Sequence, residues 1–102
     1  MAMDEALLRS RLSDDGPPTV RFFAWDPPTI SLGYSQRVTA EIDLSLATGL
    51  GVGLVRRPTG GSAVYHDSWE REVTYSVVGA SPDHPGFDDL LETYRIIGSA
   101  LV

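Results

Sequence analysis

The residues best suited to chemistry lie in one short segment, Arg56–Asp67, which reads Arg-Arg-Pro-Thr-Gly-Gly-Ser-Ala-Val-Tyr-His-Asp. Gly60 and Gly61 allow the backbone to approach a ligand that a Cβ would keep away. Successive exposed amides form an anion-binding concavity, and an arginine adds charge and bidentate geometry for a phosphate or a carboxylate. Thr59 and Ser62 add hydroxyl donors. On composition alone, the segment fits a small-anion site and a tight turn flanked by surface arginines equally well.

The charge distribution favours a small anion over a larger anionic partner. The 102-residue chain has a net charge of -6, which argues against nucleic-acid binding because such binding needs many cations. Leu44–His66 nevertheless contains no carboxylate and holds two of the eight basic residues, all of which are arginine. No apolar run approaches the roughly 20 residues of a membrane span, and no secretory signal precedes the first helix. We therefore expect a cytoplasmic protein that does not enter a membrane.

Three other signatures are rejected. The glycines of Gly49–Gly53 resemble a dinucleotide fingerprint, but a strand pattern follows them where a helix is required. Ser62 does not stand in a nucleophile elbow, so a hydrolase is not expected. His66, Asp67 and His84 lack the spacing of a metal site, and we predict no metal there.

Hydrophobic periodicity and turn residues place these features on predicted elements. A hairpin is the simplest connection between the first two strands. The predicted elements are a helix over 2–13 that ends at residues 14–18, strands over 20–25 and 30–34, a short helix over 41–46, a strand over 52–56, an extended piece over 63–65, a strand over 73–78, a loop over 81–86 and a helix over 87–102.

Arg56–Asp67 closely resembles the Arg-Arg-x-Thr/Ser-Gly-Gly-x-Ala-Val-x-His-Asp motif of the lipoate–protein ligase and octanoyltransferase family. The likeness extends in order over essentially the whole chain. Its further parts are Met3–Leu8 (the first helix), Arg21–Trp25, Pro27–Pro28 and Ser31–Gln36 (a first long hairpin), and Val73–Val78 (the strand after the glycines). This resemblance implies an α+β fold, a mostly antiparallel sheet with helices packed on one face, as in a partial biotin/lipoate protein ligase-type catalytic domain.

The resemblance also implies a function in protein lipoylation, since members of the family attach medium-chain acyl groups to lysines of lipoyl domains. Ligases first make an acyl-adenylate from ATP, whereas transferases take octanoate from acyl carrier protein through a cysteine thioester. Arg57 is the expected phosphate or carboxylate contact, and Ser35, Gln36 and Asp67 are weaker candidates. The expected acyl- or adenylate-binding wall is Arg57, Thr59, Gly60, Gly61, Ser62, Ala63, Val64, Tyr65 and His66.

Cofactors and partners follow from the same resemblance. A ligase would use ATP with Mg²⁺, and a transferase would use no cofactor; lipoate or octanoate would be the substrate. The expected partners are lipoyl-domain proteins, such as the E2 component of 2-oxoacid dehydrogenases and the H protein of glycine cleavage, together with acyl carrier protein. A missing C-terminal portion or a second chain is expected as well, but no nucleic acid and no membrane.

The chain departs from the family in holding neither lysine nor cysteine, so it offers no residue for the family's catalytic lysine or thiolate. We therefore expect residues 1–102 to be part of a domain, truncated at the C-terminus, lacking a first strand and inactive alone. The run Glu72–Val78 resembles the transferase branch more closely and favours it slightly. Two alternatives stay open: a non-catalytic acyl- or nucleotide-binding module or one half of a split lipoate ligase, and an unrelated α+β interaction domain. Ser68–Arg71 resembles an insertion.

Overall fold

The computed structural model describes residues 1–13, 16–38 and 42–102. It is a mixed α+β structure, which confirms the expected class. Its elements, in chain order, are α1 (Ala2–Leu12), β1 (Thr19–Phe23), β2 (Thr29–Leu32), α2 (Leu44–Gly49), β3 (Gly53–Arg56), β4 (Val64–His66), β5 (Thr74–Val78), two 3-10 turns (Ser81–Asp83 and Pro85–Asp88) and α3 (Leu90–Ala100).

The described residues divide into two units, one of residues 22–75 with Met1 and one of residues 2–21 and 76–102. The first unit is built on a three-stranded sheet in the order β3-β2-β4. The central strand β2 runs parallel to β3 and antiparallel to β4, so the sheet is mixed where a mostly antiparallel one was expected. Parallel neighbours need a long crossover, and here the crossover contains α2. Leu32, Thr29 and Ser31 of β2 are buried between the two neighbours.

The predicted hairpin between the first two strands is wrong. β1 pairs with β5 in a separate two-stranded sheet, and β2 takes β3 and β4 as its partners. Pro27 and Pro28 separate the two strands, and neither can donate an amide to a hairpin ladder. The carbonyls of these prolines accept from elsewhere in the first unit, namely from the Thr29 hydroxyl at 2.8 Å and from the Gly53 amide at 2.8 Å.

The predicted short helix begins later than expected. Its first predicted residue, Glu41, lies outside the described residues, and α2 starts at Leu44 because the Asp43 carboxylate accepts from the Leu46 amide at 2.9 Å and caps the helix there. Gly51 follows the helix with a φ of 70°, which glycine adopts without strain, and the chain then enters β3. A strand thus follows Gly49–Gly53 where a dinucleotide fingerprint would require a helix, and the segment joins the end of α2 to the start of β3.

In the second unit, ion pairs link helix, strand and turn. Arg11 of α1 forms a bidentate pair with Asp83, at 2.8 and 2.5 Å, and the Ala80 amide donates to the same carboxylate at 2.6 Å. Asp4 accepts from Arg21 and from the Ser76 hydroxyl. Helix α1 ends at Leu12, one residue before the predicted end. Residues 14–15 of the segment predicted to terminate it lie outside the described residues.

The last helix, α3, is shorter than predicted, because Phe87 belongs to a 3-10 turn and Asp89 is the N-cap that accepts from the Glu92 amide at 2.8 Å. Leu90, Leu91 and Tyr94 on this helix are exposed, whereas Ile97 faces a cavity of the same unit next to Phe87. Little apolar surface of α3 is therefore buried within its own unit.

Candidate functional site

The glycine loop, defined here as residues 57–63, connects β3 to β4 in the first unit. Because β3 lies parallel to β2, it delivers Arg57 to the end of β2, where the Arg57 amide donates to the Leu32 carbonyl at 2.9 Å. The loop returns into β4, whose Val64 lies opposite Ser31. Both ends of the loop are therefore anchored on the buried central strand.

The Arg57 guanidinium turns back onto its own loop. Nη2 donates to the carbonyls of Gly60 and Ser62, at 2.8 and 2.7 Å, and Nη1 donates to the carbonyl and hydroxyl oxygens of Ser31, at 3.0 and 3.2 Å. All four acceptors are neutral, so the positive charge of Arg57 is not cancelled by these contacts. The arginine fastens the loop to β2 and keeps its charge beside the loop.

This arrangement fixes the direction of two loop amides, those of Gly61 and Ala63. The C=O and N–H of a trans peptide point in opposite directions, so each carbonyl drawn towards Arg57 turns the following amide away from it. Among the described residues, the amides of residues 60–63 donate no hydrogen bond to a protein acceptor. Gly60, Gly61 and Ser62 are exposed. The loop therefore leaves these amides without a protein acceptor, as the paired glycines led us to expect, and that they bind an anion stays a prediction.

Two close approaches require glycine. Gly61 has a φ of 99°, and a Cβ built on it would lie 2.8 Å from Nη2 of Arg57. Gly33, just after β2, is packed more tightly, because a Cβ there would lie 1.9 Å from the Gly61 carbonyl oxygen. Gly60 has open space around it. Gly60 and Gly61 were predicted from their pairing in the sequence, whereas Gly33 was not, because its constraint comes from a partner 28 positions away.

The neighbouring turn is held in the same way. Nη1 of Arg56 donates to the carbonyls of Gly33, Tyr34 and Gln36, at 2.8, 3.2 and 2.6 Å. The Tyr34 amide donates to the Thr59 carbonyl at 2.8 Å, which ties this turn to the glycine loop. The two consecutive arginines thus order two adjacent loops through backbone carbonyls.

Behind the glycine loop, His66 joins β4 to a carboxylate that the sequence analysis did not single out. His66 Nε2 lies 3.0 Å from the Ser31 hydroxyl, and Nδ1 lies 2.8 Å from Oε1 of Glu72. The hydrogen bond from His66, with the one from the Asp67 amide, holds the pKa of Glu72 below its usual value. A carboxylate six positions beyond a histidine, across a tight turn, was the available signal for this contact.

The remaining predicted wall residues occupy different surroundings. Side chains alternate along a strand, so Val64 and His66 lie on one face of β4 and Tyr65 lies on the other. Thr59 and Ser62 are exposed on the loop, and Ala63 is half-buried. The structure thus brings Arg57, Gly60, Gly61 and Ser62 together and separates Tyr65 from Val64. Whether each of these residues contacts an acyl donor stays a prediction.

The weaker candidates have structural contacts. Oε1 of Gln36 accepts from the Gly33 amide at 3.2 Å, and Asp67 accepts from the Ser68 amide at 2.8 Å. Ser35 is exposed. The segment Ser68–Arg71, first seen as an insertion, forms a turn in which the Ser68 carbonyl accepts from the Arg71 and Glu72 amides, and this turn returns Glu72 to His66.

The described residues contain neither a metal-binding cluster nor a membrane-spanning helix. Within residues 1–13, 16–38 and 42–102, no group of three or more His, Cys, Asp or Glu side chains is arranged to hold a metal ion. None of the helices in these ranges combines the length and the apolar character required to cross a bilayer.

Comparison with known proteins gives a consistent result. The chain is 50% identical to octanoyltransferase LipM of Kyrpidia tusciae and 48% identical to that of Geobacillus kaustophilus, in both cases over its full length and 36% of the relative. It is 59% identical to octanoyltransferase LipM of Moorella thermoacetica over 83% of its own length and 30% of the relative. The chain thus spans about a third of the length of these curated relatives. The sequence model of the family "Lipoyl protein ligase A/B catalytic domain" matches residues 1–102, and the chain belongs to this family.

Proposed function

We propose that this chain supplies the acyl-binding loop of an octanoyltransferase, which transfers an octanoyl group to a lysine of a lipoyl domain in the cytoplasm. The observation that carries the proposal is that the amides of residues 60–63 have no protein acceptor among the described residues, and that those of Gly61 and Ala63 are turned away from Arg57 by its contacts with the Gly60 and Ser62 carbonyls. The names of the relatives support transfer as the reaction.

Acyl transfer needs such a loop because attack on an acyl carbon places negative charge on the acyl oxygen. Donors that already point at this oxygen stabilise the charge without reorganisation, and removing one of them typically costs roughly 10²–10³-fold in kcat. Arg57 holds the donors in place and adds a positive charge, and within the described ranges no carboxylate contacts it. The loop would therefore stabilise the transition state more than the ground state.

The donor is proposed to be an octanoyl thioester on acyl carrier protein, which needs no cofactor. Free amides fit an adenylate phosphate as well as an acyl oxygen, since both offer anionic oxygens, and residues 60–63 would hold the phosphate if ATP and Mg²⁺ were used. The relatives described above are octanoyltransferases and lend the ligase branch no support.

The group that carries the acyl chain must come from elsewhere, because the 102 residues include neither lysine nor cysteine. We call the chain together with the remainder of a relative-length protein the complete enzyme, and we propose that this remainder supplies the thiolate and the lysine. The proposed acceptors are lipoyl-domain proteins, such as the E2 component of 2-oxoacid dehydrogenases and the H protein of glycine cleavage.

The test is single-turnover octanoyl transfer by the complete enzyme to a lipoyl domain, followed by intact mass. One arm supplies octanoyl-acyl carrier protein, and the other supplies octanoate with ATP and Mg²⁺. We expect transfer in the first arm only, and Gly61→Ala should lower kcat roughly 10²–10³-fold because the substitution disturbs both the φ of 99° and the contact with Arg57.

Gly98→Ala is the matched control, because Gly98 lies in α3 with open space around it. Transfer that depends on ATP would refute the thioester donor. Full activity of Gly61→Ala, with the control equally active, would refute the role of the loop.

A further inference from the structure

A chain of four side chains in the first unit leads from the turn after β4 to the glycine loop. Glu72 contacts His66 Nδ1 at 2.8 Å, His66 Nε2 contacts the Ser31 hydroxyl at 3.0 Å, and the same hydroxyl accepts from Arg57 Nη1 at 3.2 Å. Arg57 in turn holds the Gly60 and Ser62 carbonyls. The network thus ends on the two peptide groups that orient the loop amides.

Burial and stacking hold this chain in one geometry. Ser31 is only 1% exposed, so its hydroxyl is kept from solvent and from any ligand. The Trp25 ring stacks on the His66 ring with centroids 4.2 Å apart and planes 15° apart, and Trp25 Nε1 donates to the Thr74 hydroxyl at 2.9 Å. The orientation of the His66 ring is therefore held by stacking on Trp25 and by the hydrogen bond to Glu72.

The donor and acceptor inventory assigns the protons. A guanidinium can only donate, so the Ser31 oxygen accepts from Arg57 and its own hydrogen is available to His66 Nε2. We assign the tautomer that carries its proton on Nδ1, which donates to the Glu72 carboxylate and leaves Nε2 to accept the Ser31 hydrogen. In this state the Ser31 hydrogen has an acceptor, which a buried hydroxyl requires.

We propose that His66 is a positioning residue that acts through Ser31 and Arg57 to hold the amides of the glycine loop in place. This inference rests on the proposed function of the loop, and it replaces a direct contact of His66 with the acyl donor by an indirect role. His66 accepts the Ser31 hydrogen, Ser31 keeps an oxygen lone pair directed at Arg57, and Arg57 keeps two loop carbonyls turned inward.

Two substitutions test the contacts of the two His66 ring nitrogens separately. His66→Asn places an amide nitrogen near the position of Nδ1, so it can donate to Glu72 but cannot reach Ser31. His66→Gln places an amide oxygen near the position of Nε2, so it can accept from Ser31. Both variants lose the stacking on Trp25, which makes them matched. His84→Asn is the histidine control, because His84 lies outside the network and an asparagine can still accept from the Gly86 amide.

The experiment measures kcat and KM for octanoyl transfer by the complete enzyme, together with the melting temperature of each variant. We expect His66→Asn to lose roughly 10–100-fold in kcat with little change in KM, and His66→Gln to keep most of the activity, because oriented donors act on the transition state. A packing role for the ring would lower both variants alike and would show in melting temperature.

Equal kcat losses in His66→Asn and His66→Gln would overturn the inference. So would wild-type kcat in His66→Asn while Gly61→Ala is inactive, a result that leaves the function of the loop intact. Wild-type kcat in both Gly61→Ala and His66→Asn would instead refute the proposed function and the inference together.

Discussion

Arg56 and Arg57 in the first unit and Arg11 in the second have opposite tasks. In the first, Arg56 and Arg57 donate to backbone carbonyls, and these contacts leave their charge uncancelled. In the second, Arg11 forms a bidentate pair with Asp83, and both side chains are only about a tenth exposed, at 11% and 12%. A guanidinium on carbonyls orders a loop and keeps a positive potential, whereas a guanidinium on a carboxylate neutralises both charges and joins elements.

Gly33→Ala is expected to lower octanoyl transfer more than any other substitution discussed below, since the added Cβ would lie 1.9 Å from the Gly61 carbonyl oxygen. Backbone atoms on both sides must move, so the loop amides lose their alignment. We expect octanoyl transfer to fall at least roughly 10²–10³-fold. Steady-state kinetics with Gly98→Ala as control would measure it. Unchanged kinetics would show that the Gly33–Gly61 approach does not matter for the loop.

Replacing one arginine of each kind by methionine should separate the effect on activity from the effect on stability. Arg57→Met removes the carbonyl contacts and should lower kcat roughly 10–100-fold at a nearly unchanged melting temperature. Arg11→Met leaves the Asp83 carboxylate without its bidentate partner and should lower the melting temperature while the folded fraction keeps its kcat. If the two variants produced the same pattern, the contrast between the units would be wrong.

Acid should act on the second unit through Asp83. The hydrogen bond from Arg11, followed by the one from the Ala80 amide, holds the pKa of Asp83 below its usual value. A lowered pKa in the folded state gives stability that is present above the unfolded pKa of about 4 and is lost as pH falls through the folded pKa. Urea unfolding between pH 6 and pH 2.5 should show a shallower loss in Asp83→Asn than in wild type or in the exposed-site control Asp88→Asn. Parallel curves would contradict this.

The smallest effect is expected at the exposed pair between Arg95 and Glu92, whose side chains are 78% and 43% exposed. Such pairs contribute about 0–1 kcal/mol because water and salt screen them. Glu92→Gln should therefore change the free energy of unfolding by less than about 1 kcal/mol in a urea titration. A larger loss would mean that exposure does not distinguish this pair from Arg11 and Asp83.

Local patterns predicted much of the fold. The glycines and β-branched runs located the loop and strands correctly, and the resemblance to the family was confirmed. The strand partners could not be predicted, because the pairing of β2 with β3 and β4 depends on contacts 20 or more positions apart. The apolar period of residues 2–13 predicted a helix correctly, but Met3 and Leu8 on it are exposed.

In the candidate site, too, local features could be predicted from the sequence and long-range contacts could not. The paired glycines implied free amides, and the carboxylate-free segment placed Arg57 beside them. Ser31 and Gly33 carry no local signal, because burial of the first and close packing of the second arise only when β2 and the glycine loop meet. Arg57 was expected to point at an anion, and its contacts with four protein oxygens are a tertiary outcome.

The central claim concerns the amides of residues 60–63, and NMR of the ¹⁵N-labelled complete enzyme observes them directly. The titrant is an octanoyl thioester analogue in which a methylene replaces the sulfur, which keeps the acyl carbonyl but prevents transfer. We predict saturable downfield amide proton shifts at Gly61 and its loop neighbours, and their loss in Arg57→Met at equal fold. Binding of the analogue with no shift at any of these amides would contradict the account.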